Sequence, residues 1–132
     1  MTDQLFDGLN RLASSTSAPA GTILFRRDEP SGPVYTVRWG EIALLWPNAE
    51  ERTPMEVLGP GSIIGLPAAI NGHYSATAKA VNDSELGLIC ADCALELLAS
   101  DPALCRAAMR IMSQEVARMR SSIAEHCIHI AE

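Results

Sequence analysis

The sequence predicts a mainly β domain, a sandwich or barrel, with helices before and after it in the chain. Between about residues 20 and 90, short runs rich in β-forming residues alternate with turn-forming segments, which is typical of β-sandwiches and barrels. Outside this region the apolar residues recur at helical spacing. A chain of 132 residues is long enough for one domain with its own core, so we expect a single domain over residues 1–132.

The first helix is predicted over about residues 3–13, and Thr2 or Asp3 would cap its first turn. Its apolar residues form one helical stripe: Leu5, Phe6, Leu9 and Leu12. The following segment, SSTSAPAG at 14–21, is predicted to be a loop because serine, proline and glycine dominate it.

Seven short runs form the predicted β region: TILF, VYTVRW, EIALLW, MEVL, SIIG, SATAKAV and ELGLIC. Gly40 lies between the second and third runs, where a hairpin turn requires a positive φ. Gly65 begins a segment rich in glycine, proline and small residues, where backbone N–H groups would cradle a small anion.

Two helices are predicted after the β region, over about 91–99 and 102–129, with Asp101 as the N-cap of the second. Apolar residues recur along the second helix at alternating spacings of four and three: Cys105, Met109, Met112, Val116, Met119, Ile123, His126 and Ile130. This heptad seam predicts a parallel homodimer; the alternative is that the stripe packs on its own domain. A separate patch suits packing within the chain: Leu104, Ala107, Ala108 and Ile111.

The acidic charge argues against several kinds of partner. The net charge is −6 and no basic cluster offsets it, so attraction to nucleic acid or to an anionic membrane is not expected. The first fifteen residues do not form a signal peptide, and no run of 18 apolar residues occurs. We therefore expect a cytoplasmic protein with free thiols.

Residues suited to metal or catalytic chemistry are few. Cys90 and Cys93 form a CxxC pair, but without a second pair they are expected to be buried small hydrophobes. His73 is the one histidine of the β region, so strands supply no histidine triad. A metal or haem at His73, or at His126 and His129, is the weaker alternative to a polar helix end. No hydrolase or P-loop motif is present, and we expect neither an enzyme nor a cofactor.

The order of elements resembles the cyclic nucleotide-binding domain of the catabolite activator and fumarate/nitrate-reduction regulator superfamily. The resemblance covers roughly residues 18–121. Three stretches carry it: AGTILFRRDEPSGPVYTVRWGEIALL, VLGPGSIIG and SATAKAVNDSELGLI. It implies a double-stranded β-helix, or jelly roll, followed by a long C-terminal dimerisation helix.

The resemblance places a phosphate-binding cassette after Gly65. In nucleotide-binding members a glutamate follows the glycine and accepts the ribose hydroxyl, and a later arginine pairs with the phosphate. Leu66 and Tyr74 hold those two positions here, so the resemblance implies a degenerate cassette that does not bind cyclic AMP or cyclic GMP tightly. The implied cassette residues are Gly65, Leu66, Pro67, Ala68, Ala69, Tyr74, Ser75 and Ala76.

Two roles remain open. An apolar cassette suits an unknown neutral or aromatic effector, whose binding would be signalled through the dimerising helix. Alternatively, side chains fill the cassette, and the chain is a ligand-free dimerisation module that acts through a protein partner. Regulators of this superfamily continue into a winged helix-turn-helix, which would begin near Glu132, so direct DNA binding is not expected.

Overall fold

The computed structural model describes residues 4–45 and 54–112. Helix α1 (Gln4–Leu12) precedes eight strands, and α2 (Leu66–Asn71) lies between the sixth and the seventh. The strands are β1 (Ser14–Ala18), β2 (Ile23–Phe25), β3 (Val34–Trp39), β4 (Ile42–Leu45), β5 (Pro54–Leu58), β6 (Ile63–Ile64), β7 (Thr77–Ala80) and β8 (Ser84–Ile89). Helix α3 (Ala91–Ser100) follows, and α4 begins at residue 102 and is described to residue 112.

The strands form two antiparallel four-stranded sheets. One has the order β1-β8-β3-β6 and the other the order β2-β7-β4-β5. Consecutive strands therefore often lie in different sheets, as they do in a jelly roll. The predicted mainly β fold with flanking helices is confirmed.

Strand β3 shows how the sequence builds two hydrophobic clusters on opposite faces of one sheet. Side chains alternate between the faces of a strand. Tyr35 and Val37 contribute to the cluster between the two sheets, whereas Val34 joins the cluster beneath the helices. Thr36 faces the helices too, and its hydroxyl donates to Asn10 Oδ1 at 2.9 Å.

The cluster beneath the helices joins α1, α3 and α4 to the outer face of the β1-β8-β3-β6 sheet. Leu5 and Leu9 of α1 are fully buried in it, next to Ile89 of β8. Leu104 and Ala108 of α4 are also buried there, with these neighbours partly buried beside them: Ala107, Ile111 and Met112. The patch predicted to pack α4 within its own chain is confirmed.

Residues 14–18 were predicted to be a loop, and this prediction was wrong. They form β1, which pairs with β8 from Ser14 opposite Leu88 to Ala18 opposite Ser84. The strand lies at the edge of its sheet, where backbone hydrogen bonds to one neighbour hold it and polar side chains remain at the surface. Ala18 alone in this strand is buried. Serine content therefore did not exclude a strand at this position.

The boundaries of the helices agree closely with the sequence where they are described. Asp101 Oδ1 accepts a hydrogen bond from the Ala103 N–H at 3.0 Å, as expected of the N-cap of α4. Residues 113–129 of the predicted long helix lie outside the described residues. Within residues 4–45 and 54–112, no helix is long and apolar enough to cross a membrane.

Candidate ligand-binding site

The predicted cassette leaves β6 through Gly65 and forms α2. Gly65 has a φ of 85°, a left-handed conformation that side chains disfavour. The helix ends at Gly72, whose N–H donates to the Ala68 carbonyl at 2.8 Å. The cassette segment therefore forms a short helix between two glycines, with Pro67 in its first turn.

The short helix divides the predicted cassette residues between two surroundings. Pro67 and Ala68 line a cavity between the sheets. Leu66 is 1% exposed and packs with the helices in the other cluster, and Ala69 packs against that cluster too. Ile70, the next residue of the same helix, is 55% exposed at the surface. Consequently, Leu66 and Ala69 do not line the cavity.

Tyr74 occupies the space between the sheets. Its ring stacks on Phe25 with 3.8 Å between ring centroids and an interplanar angle of 8°. Its hydroxyl accepts a hydrogen bond from the Gly32 N–H and donates one to the Pro33 carbonyl, both at 2.9 Å. Because the phenol is buried, the pKa of Tyr74 lies above its ordinary value, and the side chain remains neutral at physiological pH.

The backbone around Tyr74 is held as well. Its N–H donates to the Glu29 carbonyl at 3.0 Å, and its carbonyl accepts from the Asp28 N–H at 2.8 Å. Gly65 packs closely against the ring, since a Cβ added there would lie 3.2 Å from Tyr74 Cε1. The segment before β3 therefore fixes both the main chain and the hydroxyl of Tyr74.

The remaining cavity has a volume of about 30 Å³, roughly that of one water molecule. Ordinary small-molecule sites have volumes of about 300–1,000 Å³. The described residues that line it include no charged side chain: Phe25, Leu44, Ile64, Gly65, Pro67, Ala68, Tyr74, Ser75 and Ala76. With Tyr74 in this position, the cavity has no room for a nucleotide.

Three lining residues come from strands and were not predicted as site residues: Phe25, Leu44 and Ile64. Each lies on a strand that the sequence predicts. Their approach to the cassette depends on how the two sheets face each other, and no local pattern shows this. Leu44 and Ile64 lie in continuous apolar runs, so the sequence does not indicate which face of its strand either residue occupies.

The predicted dimer seam is described only at its beginning. Met109 is 50% exposed, whereas Met112 packs partly against the cluster beneath the helices. The seam residues after Met112 lie outside the described residues: Val116, Met119, Ile123, His126 and Ile130. An exposed methionine at this position leaves the start of the seam accessible to a partner.

The metal candidates are only partly described. His73 is exposed and pairs through its backbone with Pro30, while His126 and His129 lie outside the described residues. In the part of the chain that the structure describes, no three His, Cys, Asp or Glu side chains form a group suited to a metal. Cys90 and Cys93 were expected to be buried, and that expectation was wrong because both are exposed.

Comparison with known proteins identifies the family. The model of the cyclic nucleotide-binding domain matches residues 15–101. The transcriptional regulatory protein btr of Bordetella pertussis is 28% identical over 113 residues, covering 79% of this chain and 43% of that protein. The chain thus spans less than half of this relative.

Solved structures agree in fold. The catabolite activator protein of Thermus thermophilus is 23% identical with a TM-score of 0.74, covering 97% of this chain and 60% of that one. A structure from a cyclic-GMP-dependent pathway that regulates bacterial phytopathogenesis is 27% identical with a TM-score of 0.73, covering 89% and 94% of the two chains. Because the family model spans more than half of its residues, this chain belongs to the cyclic nucleotide-binding domain family.

Proposed function

We propose that this chain is a regulatory domain that responds to a small molecule other than cyclic AMP and signals through α4. The observation that carries the proposal is the Tyr74 ring, which stacks on Phe25 and lines the small cavity between the sheets. The resemblance assigns this position to the arginine that pairs with the phosphate in nucleotide-binding members. The similarity to a protein named as a transcriptional regulator supports a regulatory rather than a catalytic role.

Charge is the first argument against tight nucleotide binding. Among the residues that the structure describes, no side chain lining the cavity is cationic, and a phosphate buried without a charged partner is costly. Arginine gives strong bidentate hydrogen bonds to phosphate. Tyr74 offers a single hydroxyl hydrogen, which already bonds to Pro33, so it does not replace that pairing.

Space is the second argument. A ligand that enters the cassette must move the Tyr74 ring and break both hydrogen bonds of its hydroxyl. Each such bond contributes about 1 kcal/mol, and the stack on Phe25 about 0.5–1.5 kcal/mol. A neutral aromatic effector would replace the stacking that it displaces, whereas a nucleotide would also bring a phosphate charge that finds no charged partner there. A neutral aromatic molecule therefore suits this cavity better.

A signal from the cassette would reach α4 through helices that pack against one another. Helix α2 packs against α3, and residues of α2, α3 and α4 share the cluster beneath the helices. Moving Tyr74 would shift α2, which lies on the same segment of chain. Such a shift would bias α4 between two arrangements, provided that the ligand binds one of them more tightly.

The filled cavity also favours a second function, a ligand-free dimerisation module that acts through a protein partner. The two functions differ in whether any small molecule raises the melting temperature. A ligand that binds only the folded chain stabilises it by about 2.7 kcal/mol at a hundred times its Kd. A screen of neutral aromatic compounds by thermal shift distinguishes the two functions.

Isothermal titration of the purified chain with cyclic AMP tests the central proposal. We expect no binding heat at millimolar cyclic AMP, because the lining lacks a cation and Tyr74 occupies the space. A cyclic nucleotide-binding member that retains the arginine serves as the positive control in the same buffer. A Kd in the micromolar range or below for this chain would overturn the proposal.

Dimerisation through α4 is tested with Met109→Glu. We expect the wild-type chain of 14.1 kDa to sediment as a dimer and the variant to dissociate at least ~10-fold more readily, which corresponds to about 1.4 kcal/mol. Arg110→Glu is the matched control, since this neighbour is exposed and lies off the seam. Sedimentation velocity that shows a monomeric wild type, or equal effects of the two variants, would contradict the proposed interface.

A further inference from the structure

The start of α3 carries two exposed thiols side by side. Cys90 is the N-cap of the helix, with a φ of −55° and a ψ of 136°, and its carbonyl accepts the hydrogen bond of the Ala94 N–H at 3.0 Å. Cys93 lies in the first turn, three residues later. Both are exposed, and both line an open groove between the end of α1 and α3.

Cys90 influences the ionisation of Cys93. The charge of an ionised Cys90 raises the pKa of Cys93 above its ordinary value. When Cys90 is a thiolate, Cys93 is therefore the thiol that keeps its proton.

The position of Cys90 favours it as the attacking thiol. Unpaired N–H groups and the helix dipole stabilise negative charge at a helix N-terminus. Residues three apart in a first helical turn have Cβ atoms about 5–6 Å apart, and the extended backbone of the N-cap lets its side chain turn towards the helix. This spacing approaches the Cβ separation of about 3.5–4.5 Å that a disulfide requires.

We propose that Cys90 and Cys93 form a thiol–disulfide exchange site, with low-molecular-weight disulfides as its substrate class. The Cys90 thiolate attacks one sulfur of such a disulfide, so that a mixed disulfide forms and the first small thiolate leaves with the bonding electrons. Cys93 then loses its proton to solvent, and its thiolate attacks the Cys90 sulfur. The internal disulfide forms and the second small thiolate leaves.

The reaction is balanced without another reactant. The protein dithiol is oxidised by two electrons, and the small disulfide is reduced to two thiols. The two protons given up by Cys90 and Cys93 end on those thiols through solvent. Oxidation would join the last residue before α3 to the first turn of that helix, which packs against α2 and α1.

The experiment uses the full chain carrying Cys105→Ser and Cys127→Ser, so that only this pair reacts. Incubation with oxidised glutathione at neutral pH, followed by acid quenching and intact mass analysis, is expected to show loss of two hydrogens and no retained glutathione. Adding Cys93→Ser is expected to leave one stable glutathione adduct on Cys90. Reduced protein treated briefly with iodoacetamide is expected to be alkylated at Cys90 at least ~10-fold faster than at Cys93, because the thiolate is the nucleophile.

Two results would overturn the proposal. One is the retention of two glutathione molecules per chain, which would mean that the thiols react independently. The other is the absence of any mass change under conditions in which a free cysteine peptide reacts. Circular dichroism of each variant establishes that the fold is intact, and a variant that fails to fold is replaced by Cys93→Ala.

Discussion

Replacing Tyr74 with alanine is expected to lower the free energy of unfolding by about 3–5 kcal/mol, the usual cost of truncating a buried aromatic side chain. The variant loses the stack on Phe25 and leaves a cavity where the ring lay. It also leaves the Gly32 N–H and the Pro33 carbonyl without their hydroxyl partner. Urea unfolding followed by circular dichroism measures the change.

Tyr74→Phe is the matched control, since it keeps the ring and removes the hydroxyl alone. We expect a loss of about 1–3 kcal/mol, the cost of leaving buried polar groups unpaired. Phenol is expected to raise the melting temperature of Tyr74→Ala more than that of the wild type, because the variant has an empty cavity of the kind that binds small aromatic molecules. Equal losses for the two variants would contradict the role assigned to the ring.

Gly40→Ala is expected to destabilise the fold by about 3 kcal/mol or more. Gly40 has a φ of 97°, and a backbone in such a sparsely populated region costs a residue with a side chain about 1–3 kcal/mol. An added Cβ would also lie 2.7 Å from Ser84 Cα, so main-chain atoms would have to move. Overpacking of this kind costs a further ~1–3 kcal/mol.

Hydrogen bonds hold the turn at Gly40 close to Ser84. The N–H of the next residue, Glu41, donates to Asn82 Oδ1 at 2.9 Å and to Ser84 Oγ at 3.2 Å, which ties the β3–β4 turn to the loop before β8. Ser84 itself is buried. Relief of the clash therefore requires breaking these contacts.

Gly61→Ala is the control that separates two effects: the steric clash of an added Cβ and the backbone strain of a positive φ. Gly61 has a φ of 92°, and no atom lies within 4 Å of an added Cβ. Alanine there carries the backbone strain alone, so we expect a loss of about 1–2 kcal/mol. Melting curves in which Gly40→Ala and Gly61→Ala are equally stable would show that Ser84 does not confine Gly40.

Local patterns predicted most elements because the physical causes of those elements are local. Seven of the eight strands that the structure describes coincide, to within two residues at their ends, with runs of β-forming residues between turn-forming segments. Asp101 caps α4 as its residue type predicts. Strand β1 was missed because its composition is that of a loop, and its pairing with β8 joins segments some seventy residues apart. Helix α2 was not predicted because six residues are too few to show a helical period.

The sequence by itself determined most of the strands, the helices before and after them, and the family. It also identified the residues, Leu66 and Tyr74, at the two cassette positions that the resemblance implies. The residue types at these two positions, leucine and tyrosine, do not depend on the fold. Only the tertiary structure decided their surroundings: Leu66 turns towards the helices, and Tyr74 stacks on Phe25 between the sheets. The same holds for Cys90 and Cys93, whose exposure depends on how α3 lies on the sheet. Side-chain surroundings of this kind arise from contacts between segments distant in the chain, and local propensity carries no information about them.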